Sequence, residues 1–171
     1  MINKLTGKKL LLMGSKFYNA KKLPSALEKK IDEAIKSRMT IIVGEVPGSC
    51  WLFQDYLKSK DYKKVIVGHA KSIRYNAGNW ETKQYGFSVP EREHNMIDEC
   101  DSAIIIWTDK SGVIAENLEL LKRMEKPTFI YEYYTKTKKG KADWLDPARV
   151  YDAYFDWKNL QRKYKYQKKH S

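Results

Sequence analysis

Ala103-Ile104-Ile105-Ile106-Trp107 runs for five residues without a polar break. An uninterrupted apolar run of this length reads as a strand buried on both faces, the kind found at the centre of a parallel sheet. Working outward, Asp109 to Gly112 forms a tight loop, and Ile114 to Met124 follows as a helix presenting Ile114, Leu118, Leu121 and Met124 on one face. Pro127 to Tyr131 is a further strand, and Pro90 suits the first turn of a helix that ends near Glu99. Toward the N-terminus the same alternation repeats: strand Lys9 to Met13, helix from Leu23-Pro24-Ser25 to about Arg38, strand Thr40 to Val43, helix Cys50 to Ser59, strand Val65 to Val67. Strands alternating with helices predict an α/β domain with an open, mostly parallel five-strand sheet and helices on both faces.

Two stretches fall outside this alternation. Residues 70 to 89 form the longest irregular segment, with Asn76, Gly78 and Asn79 as turn signals, and long loops of this kind are often functional. Lys136 to Lys141 reads as a linker, after which Asp146 is placed to cap a helix that has Pro147 at its first position. Val150, Tyr154, Trp157, Leu160 and Tyr164 line one face of that helix and dock on the sheet domain or on another subunit. The organisation is thus a sheet domain over residues 1–133, then a basic linker and C-terminal amphipathic helix over 134–171.

The chain has 171 residues, 42% of them hydrophobic, enough to build one core, and a formal net charge of +12. Residues 134–171 hold eleven Lys and Arg against four Asp, a net of +7, which marks either a solvated helix face or an arm for nucleic acid. No stretch reaches the ~20 apolar residues that cross a bilayer, so no membrane is expected. Two cysteines, Cys50 and Cys100, make neither a disulfide framework nor a zinc site, and a cytoplasmic location follows as the expectation. No metal and no cofactor is expected.

In an open parallel sheet, ligands bind beyond the carboxyl ends of the strands. Those ends here are Gly14-Ser15-Lys16, Gly44-Glu45-Val46-Pro47-Gly48-Ser49, Gly68-His69 and Asp109-Lys110-Ser111-Gly112. Glycines there let backbone amides approach a phosphate, and a following helix N-terminus adds a favourable partial charge. Gly14, Ser15, Gly44, Glu45, Gly48, Ser49, His69, Asp109, Ser111 and Gly112 are therefore ligand-binding candidates. Arg74, Asn79 and Trp80 join them as parts of a loop able to cover the pocket and stack on a base. Cys50 stands at a helix start that favours a thiolate, but it has no matched histidine nearby in sequence. Neither complete dinucleotide fingerprint nor Walker loop is present.

Glu91-Arg92-Glu93-His94-Asn95-Met96, followed by the central strand and then Gly112-Val113-Ile114-Ala115-Glu116, resembles the SLOG superfamily of Rossmann-like nucleotide binders. The enzymes it looks most like are the Lonely Guy phosphoribohydrolases, whose E-R-K-x-x-M motif matches Glu91, Arg92 and Met96. Their G-T-x-x-E segment matches Gly112 and Glu116 at the same spacing. Nucleoside deoxyribosyltransferases are more distantly similar in architecture. Arg74-Tyr75-Asn76-Ala77-Gly78-Asn79-Trp80 and Trp107 to Ser111 also resemble stretches of uncharacterised SLOG proteins. The resemblance spans roughly residues 8 to 132 and implies a Rossmann-like fold, a nucleotide or nucleoside ligand and a homo-oligomer. It further implies cleavage or transfer at an N-glycosidic bond, with Glu116 as the carboxylate that stabilises oxocarbenium character or activates water, and Arg92 orienting it or binding phosphate. Thr108-Asp109-Lys110-Ser111 stands where the enzymes have P-G-G, and Val113 where they have threonine. Those departures favour a non-catalytic binder or sensor of a nucleotide-derived ligand. A third reading is a nucleic-acid accessory protein acting through its basic tail.

Overall fold

A computed structural model describes residues 2–170. Its twelve elements are β1 (Lys9–Gly14), α1 (Ser25–Lys36), β2 (Thr40–Val43), α2 (Ser49–Ser59), β3 (Val65–His69), β4 (Glu81–Gln84), α3 (Val89–Glu99), β5 (Ser102–Thr108), α4 (Gly112–Arg123), β6 (Thr128–Tyr134), β7 (Lys139–Trp144) and α5 (Pro147–His170). The strands form one sheet in the order β4-β3-β2-β1-β5-β6-β7. Every pairing is parallel except that of β6 with β7.

The central run behaves as its composition dictates: all seven residues of β5 are buried. Because successive side chains of a strand point to opposite faces, each strand feeds two cores. Leu10, Leu12, Ile41, Val43, Ile104 and Ile106 pack with Leu27, Ile31 and Ala34 of α1 and Phe53 and Leu57 of α2. Leu11, Met13, Ile42, Ala103, Ile105 and Trp107 meet Met96 and Ile97 of α3, Leu118 and Leu121 of α4, and Val150 of α5 on the other face.

The expectation of five strands is corrected to seven. β4 lies inside the segment read as irregular, and all four of its residues are exposed, so it carries no apolar signal. Its backbone pairs with β3, from Ile66 opposite Glu81 to His69 opposite Gln84. β7 takes in Lys139 to Lys141 of the expected linker, at the opposite edge of the sheet. Trp144 sits opposite Phe129 in register, with the two rings 5.2 Å apart. Lysines along an edge strand keep it from pairing with another chain, which gives the stretch the composition of a linker.

The C-terminal helix also departs from expectation in how much of it docks. Asp146 does accept a bond at the helix start, from the Ala148 amide at 3.0 Å. Val150 is buried and Tyr154 packs on the core, but Leu160 and Tyr164 are 61% and 68% exposed. The second half of the stripe therefore stands clear of the sheet domain. No described helix is long and apolar enough to cross a membrane.

Candidate functional site

Chain order reverses between β1 and β5, since β2, β3 and β4 succeed one another on one side of β1 while β5, β6 and β7 lie on the other. The crevice such a reversal opens at the carboxyl ends of the strands is where open α/β sheets place their ligands. A cavity of about 270 Å³ lies there, lined by Gly14, Ser15, Lys16, Phe17, Val46, Arg74, Val89, Arg92, Glu93, Ser111, Val113 and Ile114. Its walls come from the β1 loop, the loops after β2 and β3, and the first turns of α3 and α4.

The loops are held tightly. Gly48 has φ +82°, and a Cβ there would come within 2.6 Å of the Lys16 carbonyl oxygen. Only glycine combines that backbone conformation with so close an approach. The Ser49 hydroxyl donates to the Ser15 carbonyl at 2.7 Å, and the Phe17 amide donates to the Ser15 hydroxyl at 3.0 Å. At the far wall, α4 begins after Ser111 with no side chain capping its first amides. That end of the helix carries partial positive charge.

Beneath the cavity is a chain of charges. Glu45 is 1% exposed and Arg92 3%. Arg74 grips Glu45 with both Nε (2.6 Å) and Nη2 (3.0 Å), and Arg92 Nη1 donates to the same carboxylate at 2.8 Å. Burial pushes the Glu45 carboxyl up, but the hydrogen bonds and charge of Arg74, with the charge of Arg92, outweigh it and hold the carboxyl below its ordinary value. Glu93 lies 3.7 Å from Arg92 Nη2 and accepts from Asn117 Nδ2 at 2.8 Å. Three cations, Lys16, Arg74 and Arg92, thus face two carboxylates. The buried Arg92 Nε has no hydrogen-bond partner. A buried donor left unpaired costs about 1–3 kcal/mol, a cost that the folded protein carries at this arginine.

Of the residues proposed from sequence, Gly14, Ser15, Arg74, Arg92 and Ser111 line this cavity. Glu45 lies behind it as the counter-ion, and Gly48 and Ser49 brace the β1 loop. Gly44 accepts from Gln54 Nε2 through its carbonyl. His69 Nδ1 lies 2.8 Å from the Ala70 carbonyl and is not in the lining. The loop of Arg74 is fixed: Trp51 stacks on Tyr75 with centroids 4.8 Å apart, and Tyr75 hydrogen-bonds Asp55. Trp80 donates to the Tyr62 carbonyl at 2.9 Å and packs on the core at the amino ends of β3 and β4, away from the cavity, while Asn79 sits in the turn before it with φ +50°. Asp109 accepts from the amide and hydroxyl of Thr135 at 3.0 and 2.7 Å, on a neighbouring hollow that shares Phe17 and Ser111 with the cavity.

Glu116 and Gly112 face the other way. Glu116 accepts from Trp157 Nε1 and Lys158 Nζ of α5, each at 3.2 Å. Burial raises its carboxyl, yet those two bonds and the charges of Lys158 and His94 bring it below its ordinary value. The Trp157 ring lies so close over Gly112 that a Cβ there would overlap it. Cys50 is buried, and burial pushes its thiol up to about 11, which overrides the helix-start effect expected from sequence. Burial likewise pushes Cys100 up to about 12. Among the described residues no group of three or more His, Cys, Asp or Glu could hold a metal.

Sequence reasoning passed over Phe17 and Val89, and gave Glu93 no part in the site. Phe17 is 67% exposed at the cavity mouth, next to the exposed Val89 and Val113. A large aromatic two residues after a strand-end Gly-Ser was the available signal.

Fold and cleft together define an α/β protein with a cationic-floored, apolar-rimmed pocket at its topological switch point. No family model matches the chain, and the searches of curated proteins and of solved structures found no match.

Proposed function

We propose that this chain binds a nucleotide or nucleotide-derived ligand in the β1–β5 cleft. The observation that carries the reading is the excess of cations around the cavity, Lys16, Arg74 and Arg92 against Glu45 and Glu93. An anionic oxygen balances that excess, and charge-assisted bonds of this type are the stronger ones. Lys16, the Ser111 hydroxyl and the uncapped start of α4 add attraction for the same group. Phe17, Val89 and Val113 offer apolar contact to a base, with Phe17 exposed for stacking. The test is a thermal-shift panel of nucleoside mono-, di- and triphosphates. One or more should raise the melting temperature, and Arg92→Gln should remove the rise. A panel with no shift in the native chain overturns the reading.

A second reading, cleavage or transfer at the N-glycosidic bond, is favoured by Glu93. Its carboxylate lines the cavity beside Arg92, 14% exposed and oriented by Asn117. A carboxylate so placed can stabilise an oxocarbenium-like transition state or activate water. Glu116, the carboxylate the resemblance implies, is engaged by Trp157 and Lys158 and would have to leave them to act. Free-base release followed by chromatography distinguishes the two. Loss of release in Glu93→Gln assigns the chemistry to the cavity, loss in Glu116→Gln assigns it to α4, and binding without release leaves a sensor or carrier.

A further inference from the structure

The α5 helix is 24 residues long, about 36 Å at 1.5 Å per residue. It runs antiparallel to α4: Tyr154 meets Arg123 near the end of α4, whereas Trp157 and Lys158 meet Glu116 near its start. The start of α4 lies at the carboxyl end of β5, so the part of α5 beyond Lys158 projects past that edge of the sheet, where the cleft opens. Residues 158–169 contain six lysines and arginines and no acidic residue.

Those charges are not scattered. Lys158, Arg162, Lys165 and Lys169 follow at steps of 4, 3 and 4, which places all four on one helical face. The orientation of that face is fixed by its first member, because Lys158 Nζ donates to Glu116 in the first turns of α4. The stripe is therefore turned toward the start of α4, which contributes Val113 and Ile114 to the cavity. Tyr166 flanks the stripe and is 66% exposed. The apolar residues of this half, Leu160 and Tyr164, lie on a different face and make no continuous hydrophobic band of the kind that enters a bilayer.

From this placement we propose that α5 is a phosphate track for single-stranded nucleic acid, leading a terminal phosphorylated nucleotide into the cleft. A row of cations about 5 Å apart along the helix axis matches a polyanion rather than a single small anion. An exposed tyrosine beside it stacks on an unpaired base irrespective of sequence. A cavity of about 270 Å³ admits one small unit and no duplex. The inference rests on the nucleotide-binding reading of the cleft and extends it from a free nucleotide to the end of a strand.

The experiment uses the full chain and a fluorescent single-stranded oligonucleotide of mixed sequence, with and without a 5′-phosphate, in anisotropy titrations across a salt series. The variant replaces Arg162, Lys165 and Lys169 by glutamine and keeps Lys158. A control with the same charge loss replaces Lys29, Lys36 and Lys58, exposed lysines on α1 and α2 at the opposite sheet face. The stripe variant should bind at least tenfold more weakly, with the slope of log affinity against log salt reduced by roughly 2, at about 0.7 per contact for single strands. The control should stay within twofold of the native chain, and the 5′-phosphate should tighten native binding at least threefold. Equal losses in the two variants, indifference to the 5′-phosphate, or binding to anionic phospholipid vesicles without binding to the oligonucleotide overturns the proposal. Thermal shift with the panel of nucleoside mono-, di- and triphosphates separates the two levels: a shift without oligonucleotide binding sinks the track alone, and no response to either sinks the cleft reading with it.

Discussion

Glu45 and Glu116 are both carboxylates held by two partners, and both titrate below their ordinary value. Their settings differ. Glu45 is 1% exposed between Arg74 and Arg92, on the floor of the cleft, whereas the Glu116 side chain is 34% exposed where α5 crosses α4. The first carboxylate is the counter-charge that lets an arginine be buried in the floor of the cavity. The second is a latch between two helices at the rim of the domain. The same chemistry is worth different amounts because burial removes the competing water and the screening salt.

The comparison breaks first at Glu45. Glu45→Gln leaves Arg92 buried without its counter-charge and should cost about 3–5 kcal/mol in chemical denaturation. If the loss stays under 1 kcal/mol, Glu93 alone suffices to neutralise Arg92. Acid offers the reversible version of that change. A carboxyl lowered in the folded state adds stability that is present above its unfolded value, near 4.5 for a glutamate, and lost as pH falls through the lowered folded value. Denaturation midpoints should therefore drop below pH 4.5, and Glu45→Gln should flatten that drop.

At the other site the effects are smaller. Gly112→Ala places a methyl group against the Trp157 ring, and overpacking of this kind should cost about 1–3 kcal/mol. The loss should appear as weakened α5 docking, read by faster amide exchange in residues 150–158 while β1 and β5 stay protected. Glu116→Gln removes one half-exposed ion pair and should change stability by less than about 1 kcal/mol. A loss comparable to that of Glu45→Gln would place Glu116 in a drier setting than the one described.

The core of this fold was legible because burial leaves an apolar imprint. β1, β2, β3, β5 and β6 all carry one, and so do the helices packed against them. β4 and β7 lie at the two edges of the sheet, where backbone pairing with a single neighbour suffices and the side chains are exposed or charged. Strands of that kind leave little imprint in composition. The site was legible to a similar degree and for a related reason. Strand-end glycines and serines mark where the chain turns above the sheet, and they named Gly14, Ser15 and Ser111, whereas Arg74 came from the long loop after β3 and Arg92 from the family resemblance. Phe17 and Val89 were missed because an exposed apolar residue in a loop has no periodicity to announce it.

By itself, the sequence determined the class of the fold, the two-faced core and the end of the sheet where the loops gather, since these follow from hydrophobic spacing and turn chemistry. It also carried the basic stripe of α5, in the steps from Lys158 to Lys169. Only the tertiary structure decided which way each polar side chain turned. It set Glu45 between two arginines contributed by loops and helices 29 and 47 residues away, and it bound Glu116 to a helix more than 40 residues downstream. Partners that far apart in sequence are chosen by packing, and no local pattern records them.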